Sequence, residues 1–150
     1  LGGLAGAARA VAVADADQAC LVAVAAGREV VVWTLDRDRA VVDPVARRAC
    51  LRCVAPAAVT ALALTSDSLV AVDAAGDASW FALTFDDAPA AFPRIAAPAR
   101  RLDRGDVAAV ATPEEGAAGA VAFATRASVP LLARADSITA GPGSAAPLAF

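Results

Sequence analysis

The sequence predicts an all-β fold, with antiparallel strands gathered into short repeated sheets. Three observations carry that expectation. The run Leu21-Val22-Ala23-Val24-Ala25-Ala26-Gly27 returns as Leu69-Val70-Ala71-Val72-Asp73-Ala74-Ala75-Gly76, so its LVAV core recurs after 48 residues. β-branched residues cluster in Val30 to Val32 and around Val22 and Val70, where a helix restricts them and a pleated strand does not. Turn-forming residues also punctuate the chain every 6–10 residues, which suits short strands. The competing reading is helical or mixed, because alanine, the strongest helix former, supplies about 30% of the chain.

Each copy of the repeat runs through a polar turn into a segment carrying tryptophan: Arg28 to Leu35 with Trp33, and Asp77 to Leu83 with Trp80. Both read as hairpins turning at Gly27 and Gly76, where glycine permits positive φ. Trp33 and Trp80 fall at matching repeat positions and are expected to pack equivalently. Val59 to Thr65 alternates with period two and ends at Ser66-Asp67-Ser68, giving a further strand. Cys50 to Val54, ended by Pro56, gives another. Four short strands per repeat, with Trp late in the third, describe a propeller blade. The expected organisation is therefore a partial β-propeller over 1–150. Blades lie at 5–49 and 50–88, followed by a Pro-rich loop at 89–104. A degenerate third blade at 105–140 uses Asp106 to Thr112, Gly119 to Thr125 and Ser128 to Arg134. Pro130 demotes the last of these towards an edge, and 141–150 is expected to be irregular.

Composition removes much chemistry. The chain has no His, Tyr, Met, Lys or Asn, and all 13 basic residues are Arg. Serine or cysteine nucleophiles therefore lack a histidine base, and metals lack imidazole ligands. Schiff bases and a P-loop lysine are excluded as well. A GC-rich coding sequence accounts for this bias without selection for function. With 59% hydrophobic residues, 19% charged residues and a net charge of -3, the chain is built to fold or pack. It carries no basic footprint for unaided nucleic-acid binding. Uncharged apolar runs such as Ala55 to Thr65 are well short of the roughly 18 residues of a membrane span. The opening LGGLAGAARAVAVA lacks a basic n-region, so a signal peptide is not expected. The start at Leu1 suggests a segment of a longer product.

Cys50-Leu51-Arg52-Cys53 is formally C-x-x-C, but a thioredoxin-type motif needs its first Cys at a helix start. The surrounding ACLRCVA reads as an ordinary half-buried strand whose spacing of three puts the two sulfurs on opposite faces. With Cys20 the total is three, an odd number that suits a reducing compartment.

The run Ala49 to Leu83, ACLRCVAPAAVTALALTSDSLVAVDAAGDASWFAL, resembles a WD40 repeat. The WD dipeptide and the Gly-His pair are absent. Among WD40 proteins it looks most like the non-catalytic subunit of the tRNA (guanine-N7)-methyltransferase. Cys50, Thr60 to Leu64, and Leu69 to Phe81 with its Asp-x-x-Gly-Asp spacing carry that likeness. The family's lysine is replaced by Ala74, and its third-blade run is not matched at Ala124 to Pro130. The resemblance implies a scaffold without catalysis, cofactor or metal. Its partner would be a catalytic methyltransferase subunit in a heterodimer, with tRNA engaged indirectly, in the nucleus or alternatively the cytoplasm. A generic WD40-type interaction module with an unrelated partner is the alternative.

No residue is expected to be catalytic, cofactor-binding or metal-binding. Gly2-Gly3-Leu4-Ala5-Gly6 is not a dinucleotide fingerprint. The acid pairs Asp15/Asp17, Asp36/Asp38, Asp86/Asp87 and Glu114/Glu115 read as solvated turn residues. Arg37/Arg39, Arg47/Arg48 and Arg100/Arg101/Arg104 are interleaved with Asp and read as mixed surface charge. A closed seven-blade propeller at this repeat length needs about 280–350 residues. An open stack of two or three blades should therefore expose apolar terminal faces that aggregate, dimerise or await further sequence.

Overall fold

The fold is all-β in a computed structural model that describes residues 6–16, 19–36, 47–85, 93–96, 98–112, 120–126, 130–134, 138–140 and 147–148. Three antiparallel sheets follow one another along the chain. Sheet one contains β1 (Ala10–Ala16), β2 (Ala19–Ala26), β3 (Glu29–Asp36) and β4 (Arg47–Val54), in that spatial order. Sheet two contains β5 (Val59–Leu64), β6 (Ser68–Asp73) and β7 (Ala78–Phe85). Two short strands then share the outer edge of β7: β8 (Pro93–Ile95) pairs with one end and β9 (Arg100–Leu102) with the other. Sheet three contains β10 (Val107–Ala111), β11 (Ala120–Thr125), β12 (Pro130–Arg134), β13 (Ile138–Ala140) and β14 (Pro147–Leu148).

Both expected hairpins form. Gly27 turns β2 into β3 at φ 58°, and Gly76 turns β6 into β7 at φ 83°. Four boundaries differ from the sequence reading. Arg47–Val54 pairs with β3, so Cys50 to Val54 completes sheet one, and a division at 49/50 would cut a strand. The 89–104 segment contributes β8 and β9 to the edge of β7, because a free strand edge offers unpaired N–H and C=O groups to any nearby extended segment. Pro130 opens β12, an interior strand. The first position of a strand tolerates a residue that cannot donate to the ladder. The tail is also not wholly irregular, since Pro147–Leu148 pairs with β13.

Two apolar cores lie between the sheets. Leu21, Ala23, Ala25, Val30, Val32 and Cys53 of sheet one meet Leu62, Leu64, Leu69, Ala71, Phe81 and Leu83 of sheet two. The opposite face of sheet two, with Ala63, Val70, Val72, Ala78 and Trp80, meets Val107, Val121 and Phe123 of sheet three. Sheet two is thus covered on both faces, which is why β6 is buried at every position instead of alternating.

Each first strand is tied to the preceding hairpin. The Val59 amide donates to the Gly27 carbonyl at 2.7 Å, and the Val107 amide donates to the Gly76 carbonyl at 2.9 Å. Each then carries a bulge at its second residue: Val59 pairs with Asp73 and Ala61 with Val72, while Val107 pairs with Thr125 and Ala109 with Ala124. The bulge raises local twist where the strand leaves the junction.

The tryptophans share a partner type but not a face. Trp33 lies opposite Val22, and Trp80 lies opposite Val70. Trp80 faces sheet three and is 2% exposed, whereas Trp33 shares the outer face of sheet one with Val22 and is half-buried. The cause is one residue. Three positions separate Val24 from the docking Gly27, but four separate Val72 from Gly76. Anchored at the glycines, the LVAV run is displaced by one, and a one-residue slip in a strand exchanges its faces.

Candidate functional site

Among the described residues, a dense polar arrangement sits at the tip of the β6–β7 hairpin, where sheet two meets sheet three. Asp73 ends β6 and organises the turn. Its carboxylate Oδ1 accepts from the Ala75 amide at 2.9 Å and the Asp77 amide at 3.3 Å. The Gly76 amide donates to the Asp73 carbonyl at 3.0 Å, and the Asp73 amide donates to the Asp77 carbonyl at 2.9 Å. Together these form a three-residue hairpin loop with glycine in the left-handed position. A Cβ on Gly76 would lie 2.5 Å from the carbonyl carbon and oxygen of Gly105 and 2.9 Å from the Asp106 nitrogen. The tip is therefore packed backbone to backbone against the start of sheet three.

Arg101 of β9 reaches this tip. Its Nη2 donates to Asp77 Oδ2 at 2.9 Å and Asp73 Oδ2 at 3.4 Å, and its Nε donates to Asp103. The other oxygen of Asp77 accepts from the Gly105 amide at 2.7 Å. Burial alone would weaken the guanidinium's hold on its proton, but the Asp103 hydrogen bond and the charges of Asp73 and Asp77 outweigh it. Arg101 Nη1 is buried with no hydrogen-bond partner among the described residues. Nearby, Arg104 donates to Asp106 at 2.8 and 3.1 Å. That hydrogen bond, opposed by partial burial, holds the Asp106 carboxyl below its usual range. The arrangement clamps a turn to the next sheet. Its carboxylates are committed to Arg and to backbone N–H groups, and no set of three metal-ligating side chains occurs among the described residues.

The other singled-out residues are scattered. Asp15 is exposed on β1. Asp36 ends β3, and Arg47 and Arg48 begin β4, opposite Leu35 and Thr34. Asp17, Arg37, Asp38, Arg39, Asp86, Asp87, Glu114, Glu115 and Leu1 to Ala5 lie outside the described residues. Arg100 is exposed beside Arg101. Cys50 is the unpaired residue of a bulge, since Val32 pairs with Leu51 and Trp33 with Ala49. Cys53 is a free thiol in the core between sheets one and two, and burial pushes it up to about 11. It is therefore a packing residue and not a nucleophile at neutral pH. Of the residues read as mixed surface charge, Arg101 and Arg104 prove specifically paired. The signal available was the Asp-x-x-x-Asp spacing of Asp73 and Asp77 in the turn, but Arg101 arrives from 24 residues beyond Asp77.

Among known families and curated proteins, none matches this chain.

Proposed function

We propose that this chain is part of a WD40-type β-propeller that acts as a non-catalytic scaffold, with a tRNA (guanine-N7)-methyltransferase subunit as its partner. The observation that supports the propeller reading is the repeated junction. Two successive sheets begin with a valine amide bound to the preceding hairpin's glycine carbonyl, and both continue through a bulge at the next residue. A rule that places sheet three on sheet two as sheet two sits on sheet one is the rule that generates a blade array. The choice of partner rests on the resemblance of Ala49 to Leu83, including the Asp73 to Asp77 turn.

Such a scaffold acts by preorganisation. A rigid docked surface lowers the ordering cost of the partner's active conformation. At a net charge of -3 the chain is poorly suited to the main phosphate contacts, so the partner supplies most of the salt-dependent affinity for tRNA. The mismatch at Ala124 to Pro130 favours a second reading, a WD40-type module with an unrelated partner. Reconstitution separates the two. Methyl transfer to tRNA is measured for the candidate methyltransferase alone, for this protein alone and for the mixture. Activity that rises only in the mixture supports the first reading. A methyltransferase that neither binds this protein nor gains activity from it leaves the generic module.

A further inference from the structure

The first strands pack side by side, β5 lying between β1 and β10. Each junction seats larger side chains of one strand on alanines of the strand before it. β1 turns Ala10, Ala12 and Ala14 into the first core, where β5 brings Leu62 and Leu64. β5 turns Ala61 and Ala63 into the second core, where β10 brings Val107 and Val110.

Both ends of the stack leave this pattern unfinished. At one end β1 exposes Val11 and Val13, 64% and 59% accessible, and Val54 of β4 is 65% accessible. Val11 and Val13 pair with Val24 and Val22, so one apolar face runs from an open edge on β1 to Val31 and Trp33 of β3, where Val31 is already buried and the Arg52–Glu29 ion pair borders it. At the other end, Ala109 and Ala111 of β10 pair with Ala124 and Ala122 of β11, on the face opposite Phe123 and Val121. Ala109, Ala111 and Ala124 are exposed. One end thus presents the large-residue half of the repeated junction, and the other presents the alanine half.

We infer that the outer face of sheet one, centred on Val11 and Val13, docks head to tail on the outer face of sheet three of a second copy of this chain. The two faces differ, so the contact is heterologous and closes into a ring or grows into a filament. Two copies bring six sheets, within the four to eight blades of closed propellers, so the closed dimer is the expected product. The inference rests on the stacking within the chain and on the propeller part of the proposed function, but not on the methyltransferase partner.

Complementary blocking tests it. Val13→Glu charges one face and Ala124→Glu the other, both at exposed positions. By sedimentation at tens of micromolar, the unmodified chain should run at twice its 14.8 kDa mass or above. Each variant alone should run as a monomer. Mixed in equal amounts, they should regain a heterodimer through the one intact pair of faces. A monomeric unmodified chain, or a mixture that stays monomeric, overturns the inference. Association that survives Ala124→Glu but not Val13→Glu overturns it in favour of a face-to-face pairing of sheet one. If either Glu variant loses its β-sheet circular dichroism, Val11→Gln and Ala109→Gln replace the pair under the same criteria. Methyl transfer is not read in this experiment, so its failure is distinct from failure of the scaffold reading.

Discussion

Gly27 and Gly76 show how two identical turn residues can carry different loads. Both have positive φ, but a Cβ at Gly27 meets nothing within 4 Å, whereas one at Gly76 meets the backbone of Gly105 and Asp106. Gly27→Ala should cost about 1–2 kcal/mol, the left-handed penalty alone. Gly76→Ala should cost clearly more, since backbone atoms must also move. Urea unfolding of the two variants checks the order, and equal losses would mean the tip is not docked as described. A similar contrast applies to the tryptophans. Trp80→Ala empties a fully buried site and should cost about 3–5 kcal/mol, while Trp33→Ala, on a half-buried outer face, should cost well under that. Cys53 makes a pH prediction. Its thiol is held up to about 11 against an ordinary 9.0, so between those values the folded state binds a proton that the unfolded state has released. Its contribution is complete below pH 9.0 and is lost as pH rises towards 11. In a background with Cys20 and Cys50 replaced by Ser, a thiol reagent at pH 8 should label the folded protein far more slowly than the denatured chain.

At the scale of elements, the β6–β7 hairpin is the joint on which sheets two and three depend. Asp73 is 2% exposed, and it satisfies two turn amides as well as Arg101. Asp73→Ala removes the shared acceptor of those part-buried donors, one of them charged, and should cost about 1–3 kcal/mol. Asp73→Asn keeps a carbonyl oxygen for the turn and should cost less. The difference between the two variants measures the turn's share, and identical losses would assign the whole effect to the Arg101 charge pair. Arg101 is partly solvated, so raising salt should weaken its part and leave the turn's part unchanged. The β2–β3 hairpin is tied differently. Its two-residue loop, with Ala26 paired to Glu29, is held to the end of sheet one by Arg28, whose Nε donates to the Ala55 carbonyl at 2.9 Å, and by the Arg52–Glu29 ion pair.

Across the whole molecule, burial is graded from the middle sheet outwards. β6 is buried at all six positions and lies between two cores, whereas β1 and β10 each have an exposed face. Amide hydrogen exchange should therefore be slowest at Val70 and Val72 and faster along β1 and β10, because local opening follows the fewest buried contacts. Protection spread evenly over the three sheets would mean that they open as one unit.

Strand type was legible in the residues. β-branched clusters, period-two runs and Gly-centred turns located the hairpins at Gly27 and Gly76, the strand from Val59 and the core of sheet three, because these signals act within a few residues. What only the tertiary structure decided involves longer reach. The sequence could not show that Cys50 to Val54 joins the sheet before it, since strand pairing depends on which edge lies free nearby. Arg101, far along the chain from Asp73 and Asp77, could not be assigned to them, since a charge among other charges has no partner until β9 is placed on β7. The LVAV repeat matched by letter yet faced the opposite way in the two sheets. Side-chain alternation has period two, and one added residue before a docked glycine inverts it.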